Sequence, residues 1–107
     1  MWRVFSEPFK NADRIFPTQQ KDVHEIIKRF SADENVKKLI VFGSSITSAC
    51  NPWSDIDIYV EMNENKNLPP TGVREVAVDV WTNFTVDKHL YNEIKKGVTV
   101  YERDAVG

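Results

Sequence analysis

The sequence predicts a small α+β (α/β) fold, in which a mixed β-sheet carries helices packed mainly on one face. The chain has 107 residues, 41% of them hydrophobic, which suffices for one core but not for a second lobe. Short runs typical of strands recur along it, and helical patterns with apolar residues three and four positions apart lie between them. We therefore expect a single domain over residues 1–107, with its core at about 18–103.

The first predicted helix follows an N-terminal arm, residues 1–16, whose role the sequence leaves open. Thr18 is a suitable N-cap, because its hydroxyl can accept a hydrogen bond from the first turn. An apolar stripe at helical spacing follows it, and we expect this stripe to pack into the core. Its members are Val23, Ile26, Ile27 and Phe30.

Two apolar segments in the middle of the chain predict the first two strands. Residues 37–42 end in a continuous apolar run, which is typical of a buried strand. Ser44 is a good N-cap for a short helix over residues 44–49. Residues 56–61 alternate in polarity, so the residues at even numbers share one face of a strand and those at odd numbers share the other. The even set is Ile56, Ile58 and Val60, and the odd set includes Asp57 and Tyr59.

The second half of the chain predicts a loop, a strand, a helix and a last strand. Residues 61–72 are rich in asparagine and contain two adjacent prolines, which indicates a loop, long for a hairpin. A third strand is expected over 74–81 and a fourth over 98–101. Between them a helix is expected to begin at Thr85 or Asp87 and to end at Lys96, with Gly97 as its C-cap. Its inward residues are predicted to be Leu90, Tyr91 and Ile94.

Asp55 and Asp57 are the first candidates for chemistry. Successive side chains of a strand alternate between faces, so these two carboxylates share one face with Cα atoms about 6.6 Å apart. Without a cation they would repel each other, and one would tend to stay protonated. Oxygen ligands of this kind favour magnesium or manganese, and such a pair can hold one or two ions for phosphoryl transfer.

Gly43 and Ser44 are the second candidates. A strand that turns through glycine into a helix directs free backbone N–H groups toward whatever lies in front of it, and phosphate fits there. Taken singly, each feature has an ordinary explanation: Gly-Ser is a common turn, and Asp57 suits a solvated strand position. Their joint occurrence at this spacing favours a site.

The string Gly43-Ser44, ten intervening residues, then Asp55-Ile56-Asp57 resembles the signature of the DNA polymerase β-like nucleotidyltransferase superfamily. Within this superfamily, the chain resembles the minimal nucleotidyltransferase (MNT) proteins in its length and in the sequence of residues 54–58. The resemblance covers roughly Val36 to Glu102 and implies the small palm domain of that superfamily.

The same resemblance implies a third carboxylate on a later strand, and Asp79 stands at the fitting place. It implies that Asp55, Asp57 and Asp79 are the catalytic and metal-binding residues, with two Mg²⁺ ions (or Mn²⁺). It also implies that Gly43 and Ser44 bind the nucleotide, with ATP as substrate. Asp79 alternates with Val78 and Val80, so a solvent-facing position on an amphipathic strand is the alternative.

The resemblance further implies an activity and a partner. MNT relatives pair with small helical HEPN-type proteins as antitoxins, so the expected reaction is AMP transfer to a tyrosine hydroxyl of such a toxin. Many relatives place arginines just after Gly-Ser, whereas residues 45–51 contain none. A non-enzymatic antitoxin that neutralises its partner by binding is therefore the alternative. A small-molecule nucleotidyltransferase is a third reading, disfavoured by the lack of room for a second domain.

Composition narrows the partners and the compartment. The net charge of −2 and the isoelectric point near 5.6 argue against extended nucleic-acid binding, which needs a dense face of Lys and Arg. Cys50 is the only cysteine, so no internal disulfide is expected. The sequence shows neither a long apolar run nor a secretory leader, and we expect a cytoplasmic protein without membrane contact.

Overall fold

A computed structural model describes residues 9–47 and 53–103 of the chain. This part contains a four-stranded sheet, two α-helices and two 3₁₀ turns. The strands are β1 (Val36–Phe42), β2 (Ile56–Met62), β3 (Val78–Thr82) and β4 (Val98–Glu102); the helices are α1 (Pro17–Ser31) and α2 (Lys88–Lys95); the 3₁₀ turns are Ala12–Arg14 and Gly43–Ile46. Residues 1–8 of the predicted N-terminal arm, and Cys50, lie outside the described residues.

The sheet is mixed, as predicted. Its strand order is β3-β2-β1-β4, with β1 antiparallel to both β2 and β4. β2 and β3 run parallel, so both strands begin at the same end of the sheet. The antiparallel strand β1 finishes at that end. The observed β1, β2 and β4 differ from the predicted strands by one residue at an end. This topology places the end of β1 and the starts of β2 and β3 side by side.

Helix α1 carries the predicted apolar stripe. Val23, Ile26 and Phe30 are fully buried and Ile27 is partly buried, all within one core cluster. The prediction that Thr18 caps the helix is wrong, because the helix begins one residue earlier, at Pro17. Proline suits the first helical position, since its fixed φ matches the helix and its missing N–H would have had no partner there.

Helix α2 begins after Asp87, one of the two predicted starts. The Asp87 carboxylate accepts a hydrogen bond of 2.8 Å from the Leu90 N–H, as an N-cap does. Ile94 is buried and Leu90 is partly buried, but the prediction that Tyr91 points inward is wrong, because 48% of it is exposed. The Tyr91 ring instead lies beside Lys95, whose Nζ is 4.9 Å from the ring centroid, a cation–π contact within the helix.

The two helices lie on opposite faces of the sheet. α1 packs on the face that carries Ile56, Ile58 and Val60. α2 packs on the other face, where Phe42, Tyr59 and Ile94 form a smaller cluster. The expectation that the helices lie mainly on one face therefore holds for α1 and not for α2. The aromatic side chains of Tyr59 in β2 and Phe42 at the end of β1 form the apolar surface that α2 covers. We call the face covered by α2 the second face.

The segment after β1 is shorter than predicted. In place of a helix over 44–49, a single 3₁₀ turn spans Gly43–Ile46, and residues 48–52 lie outside the described part. Ser44 therefore sits inside the turn and is not its N-cap. Gly43 opens the turn at φ 76°, in the left-handed region that favours glycine.

The connection between β2 and β3 is longer than predicted. Residues 63–77 form neither helix nor strand, and β3 begins at Val78, four residues after the predicted start. Parallel strands cannot be joined by a hairpin, so a crossover is required. Leu68, Val73 and Val76 pack against the same core cluster as α1, which shows that the crossover covers that face. None of the helices in the described ranges is long and apolar enough to span a membrane.

Candidate functional site

Asp57 and Asp79 lie side by side on the second face. They are register partners in the parallel ladder of β2 and β3. Partners in a ladder point to the same side of the sheet, so Asp79 shares a face with Asp57, as the metal-site hypothesis required. Asp57 is half-buried and Asp79, on an edge strand, is exposed.

Asp55 stands just before β2, two residues from Asp57, and is exposed. Backbone contacts fix its neighbours on both sides. The Ile56 N–H donates to the Ala77 carbonyl at 2.9 Å, and the Ser54 carbonyl accepts from the side-chain amide of Gln19 at 2.7 Å. The start of β2 is therefore held to the approach of β3 on one side and to α1 on the other.

The three carboxylates interact electrostatically. Burial raises the pKa of Asp57, and the negative charges of Asp79 and Asp55 raise it further, together with a hydrogen bond between the Asp57 and Asp79 carboxyls. Proximity of like charges disfavours full ionisation of the group. A bound cation would offset this repulsion.

Gly43 brings the backbone of the turn against Asp57. Phe42, the residue before it, is the register partner of Asp57 in the antiparallel ladder. A Cβ at Gly43 would collide with Asp57 Oδ2 and would lie 3.4 Å from Asp57 Cγ. The N–H groups of the first residues of a 3₁₀ turn make no hydrogen bond within the turn. In this turn those residues are Gly43 and Ser44, and the turn begins next to the Asp57 carboxylate. The two halves of the sequence motif thus meet in space.

The donor set fits a hard cation in part. Asp57 and Asp79 offer adjacent carboxylate oxygens, the ligand type that Mg²⁺ and Mn²⁺ prefer. Across residues 9–47 and 53–103, no three His, Cys, Asp or Glu side chains are grouped as a ready metal site. The arrangement therefore offers two donors at the centre, with Asp55 near enough to influence the charge of Asp57.

The raised pKa of Asp57 leads to a prediction about the thermal stability of the protein. In the unfolded chain Asp57 ionises near its ordinary value of 3.8, whereas the folded state holds the proton to higher pH. Its ionisation therefore lowers the free energy of unfolding as the pH rises through the folded-state pKa. We expect Asp57→Asn to raise the melting temperature by roughly a few degrees at pH 7 in chelator.

The gain should shrink below about pH 4, where the wild-type carboxyl is protonated as well. Thermal unfolding at pH 7 and at pH 3.5 measures both. An unchanged or lower melting temperature at pH 7 would show that Asp57 is not held in a repulsive group.

Sequence reasoning missed Gln19. It is 1% exposed, although glutamine on a helix usually faces solvent. Its side-chain oxygen accepts from the hydroxyl of Ser45, itself fully buried within the Gly43–Ile46 turn. Nothing in the local pattern marks a buried amide, because its partners come from distant parts of the chain.

Comparison with known proteins adds one positive finding. The family model described as "Nucleotidyltransferase domain" matches residues 23–105, which include every predicted site residue. A search of curated proteins gives no significant match.

Proposed function

Because the chain belongs to the nucleotidyltransferase domain family, we propose that it transfers AMP from ATP to a tyrosine hydroxyl of a partner HEPN-type toxin and so acts as an antitoxin. Membership of the family supports nucleotidyl transfer in general, with a nucleoside triphosphate and a divalent metal ion. The nucleotide base, the acceptor and the antitoxin role are the further steps of the proposal. They rest on the resemblance of the chain to MNT proteins.

One observation carries the proposed chemistry. Asp57 and Asp79 are register partners on one face of the sheet, and the Asp57 carboxylate lies against Gly43 at the start of the turn. Carboxylates for a cation and backbone N–H groups for phosphate are the two parts that nucleotidyl transfer needs close together. Nothing else in the reaction demands covalent chemistry from the protein.

In the proposed complex the triphosphate lies against the turn that begins with Gly43 and Ser44. Their N–H groups would donate to phosphate oxygens, and the absence of a side chain at Gly43 would let the phosphate approach the backbone. Asp57 and Asp79 would hold Mg²⁺ or Mn²⁺, with Asp55 as a further ligand. When bound, the metal supplies positive charge that neutralises the phosphate oxygens.

In the proposed reaction the acceptor hydroxyl oxygen forms a bond to the α-phosphorus. The bond from that phosphorus to the bridging oxygen of the β-phosphate breaks, and pyrophosphate leaves with the bonding electrons. In this proposal Asp79 would orient the hydroxyl and take its proton, since its carboxylate is exposed on the edge strand beside Asp57. Asp57 is half-buried and lies against Gly43, so it would suit the role of a fixed metal ligand.

A second candidate is an antitoxin that neutralises its partner by binding alone. It is favoured by the sequence after Ser44, since residues 45–52 contain neither Arg nor Lys to contact a triphosphate. In this case the acids would be remnants of an ancestral site, and the protein would cover its partner without modifying it.

One experiment separates the two candidates. The protein is incubated with Mg²⁺, ATP labelled at the α-phosphorus, and the product of the adjacent gene. We expect label on a tyrosine of the partner, and a double variant, Asp55→Asn with Asp57→Asn, should transfer none. If the double variant neutralises the toxin as well as the wild type while neither protein transfers label, the binding antitoxin is the correct function.

A further inference from the structure

We infer that Gln19 is a positioning residue that holds the two halves of the nucleotide site in register. This inference rests on the proposed function, because it concerns the same site. Gln19 lies in the first turn of α1, outside residues 23–105 that match the family model. It touches neither Asp57 nor Asp79 in any hydrogen bond found among the described residues.

The first link runs from Gln19 to the phosphate-binding half. Ser45 Oγ donates to Gln19 Oε1, and both side chains are almost fully buried. A second bond joins the same two segments, since the Phe16 N–H donates to the Ser45 carbonyl at 2.8 Å. The turn that begins with Gly43 is thus tied to the start of α1 through side chain and backbone.

The second link runs from Gln19 to the carboxylate half. Gln19 Nε2 donates to the Ser54 carbonyl at 2.7 Å, and this carbonyl belongs to the peptide that leads into Asp55. One amide therefore uses its oxygen for one half of the motif and its nitrogen for the other. Neither bond can be exchanged with water without cost, because the amide is 1% exposed.

The two links join segments that are separated along the chain. Ten residues separate Ser44 from Asp55, and the turn of Gly43–Ile46 ends well before β2 begins. Gln19 fixes the spacing across this gap from outside it. Displacement of a site by about 1 Å costs roughly 10²-fold in rate, so a fixed spacing has a functional value.

The test replaces Gln19 by Met, which keeps the volume and removes both hydrogen bonds. We expect the affinity for Mn²⁺–ATP to fall about 10- to 100-fold, as for residues that orient metal ligands. The backbone amide resonances of Ser44–Ile46 and of Asp55–Ile56 should both shift, while those of β4 stay in place.

The matched control is Asn83→Ala. Asn83 is also an amide with two bonds across segments, donating to the Met62 carbonyl at 3.0 Å and accepting from the Met62 N–H at 2.9 Å, at the opposite end of β2. We expect it to lower the melting temperature and to leave Mn²⁺–ATP affinity unchanged. A merely structural role of Gln19 would make the two variants behave alike.

A second variant decides the matter if Gln19→Met does not fold. Ser45→Ala removes only the link to the turn, and it should lower the affinity in the same direction with resonance shifts at Asp55–Ile56 as well as in the turn. Unchanged affinity in a folded variant of either residue would overturn the role of Gln19. If the wild-type protein bound no Mn²⁺–ATP, the proposed function would be wrong. The resonance shifts in the variants would then still test whether Gln19 couples the turn to the start of β2.

Discussion

Replacing Asp79 by Asn should reduce label transfer to the partner roughly 10³-fold or more without unfolding the protein. The reaction depends on charge at the α-phosphorus, and loss of a single stabilising group at such a centre costs about 10²- to 10³-fold in rate. Asp79 also aligns the acceptor in our account, so its loss removes two contributions. Because Asp79 is exposed on the edge strand β3, its replacement by the similarly sized Asn leaves the packing of the core unchanged.

The control for this prediction is Glu102→Gln, which removes one carboxylate from the other edge strand. Glu102 is exposed on β4 and pairs with Lys38 at 3.4 Å, a surface ion pair of small energetic value. We expect its rate and melting temperature to match those of the wild type. Full transfer by Asp79→Asn would remove Asp79 from the site and leave the register of β2 and β3 without a functional meaning.

Replacing Gly43 by Ala should abolish transfer and lower the free energy of unfolding by about 1–3 kcal/mol. The backbone at Gly43 has φ 76°, which strains any residue with a Cβ. In addition, the new methyl group would collide with the Asp57 carboxylate, whose Cγ lies 3.4 Å from the Cβ position. The substitution thus acts on the fold and on the proposed metal ligand together. Chemical denaturation and the label-transfer assay measure the two effects.

Gly72→Ala separates these two effects. Gly72 has φ 78°, close to that of Gly43, but its Cβ would meet the side chain of Arg29 at Nε, Cζ and Cδ. That side chain is long and partly exposed, so it can move aside. We expect a comparable loss of stability with normal transfer. If both variants lost activity equally, destabilisation would explain the effect, and contact between Gly43 and Asp57 would not matter.

The face of the sheet on which Asp57 lies followed from alternation in the sequence. Polarity alternates along residues 56–61, which set Asp57 on the face opposite Ile56 and Ile58, and the structure has this arrangement. The sequence of β2 alone did not predict which residue of another strand would lie beside Asp57. Asp79 was found through its resemblance to a family pattern, and the parallel ladder of β2 and β3 then brings the two residues together.

Other features escaped prediction for physical reasons. The helix over 44–49 was expected from the capping tendency of Ser44, but Ser45 is drawn into the buried contact with Gln19, and the described turn ends at Ile46. β3 begins four residues later than predicted, because the crossover that parallel strands require extends through residue 77. Tyr91 is exposed and lies outside the smaller cluster on the second face. These outcomes depend on tertiary contacts that local patterns do not encode.

The most direct test of the account is a map of Mn²⁺ binding in the presence of ATP. Paramagnetic broadening of backbone amide resonances needs no acceptor protein and reports distance from the ion. We predict broadening centred on Gly43, Ser44, Asp55–Asp57 and Val78–Val80, and its loss in the Asp79→Asn variant but not in Glu102→Gln. Broadening centred on another part of the chain, or none at saturating Mn²⁺–ATP, would contradict the assignment of the nucleotide site to these residues.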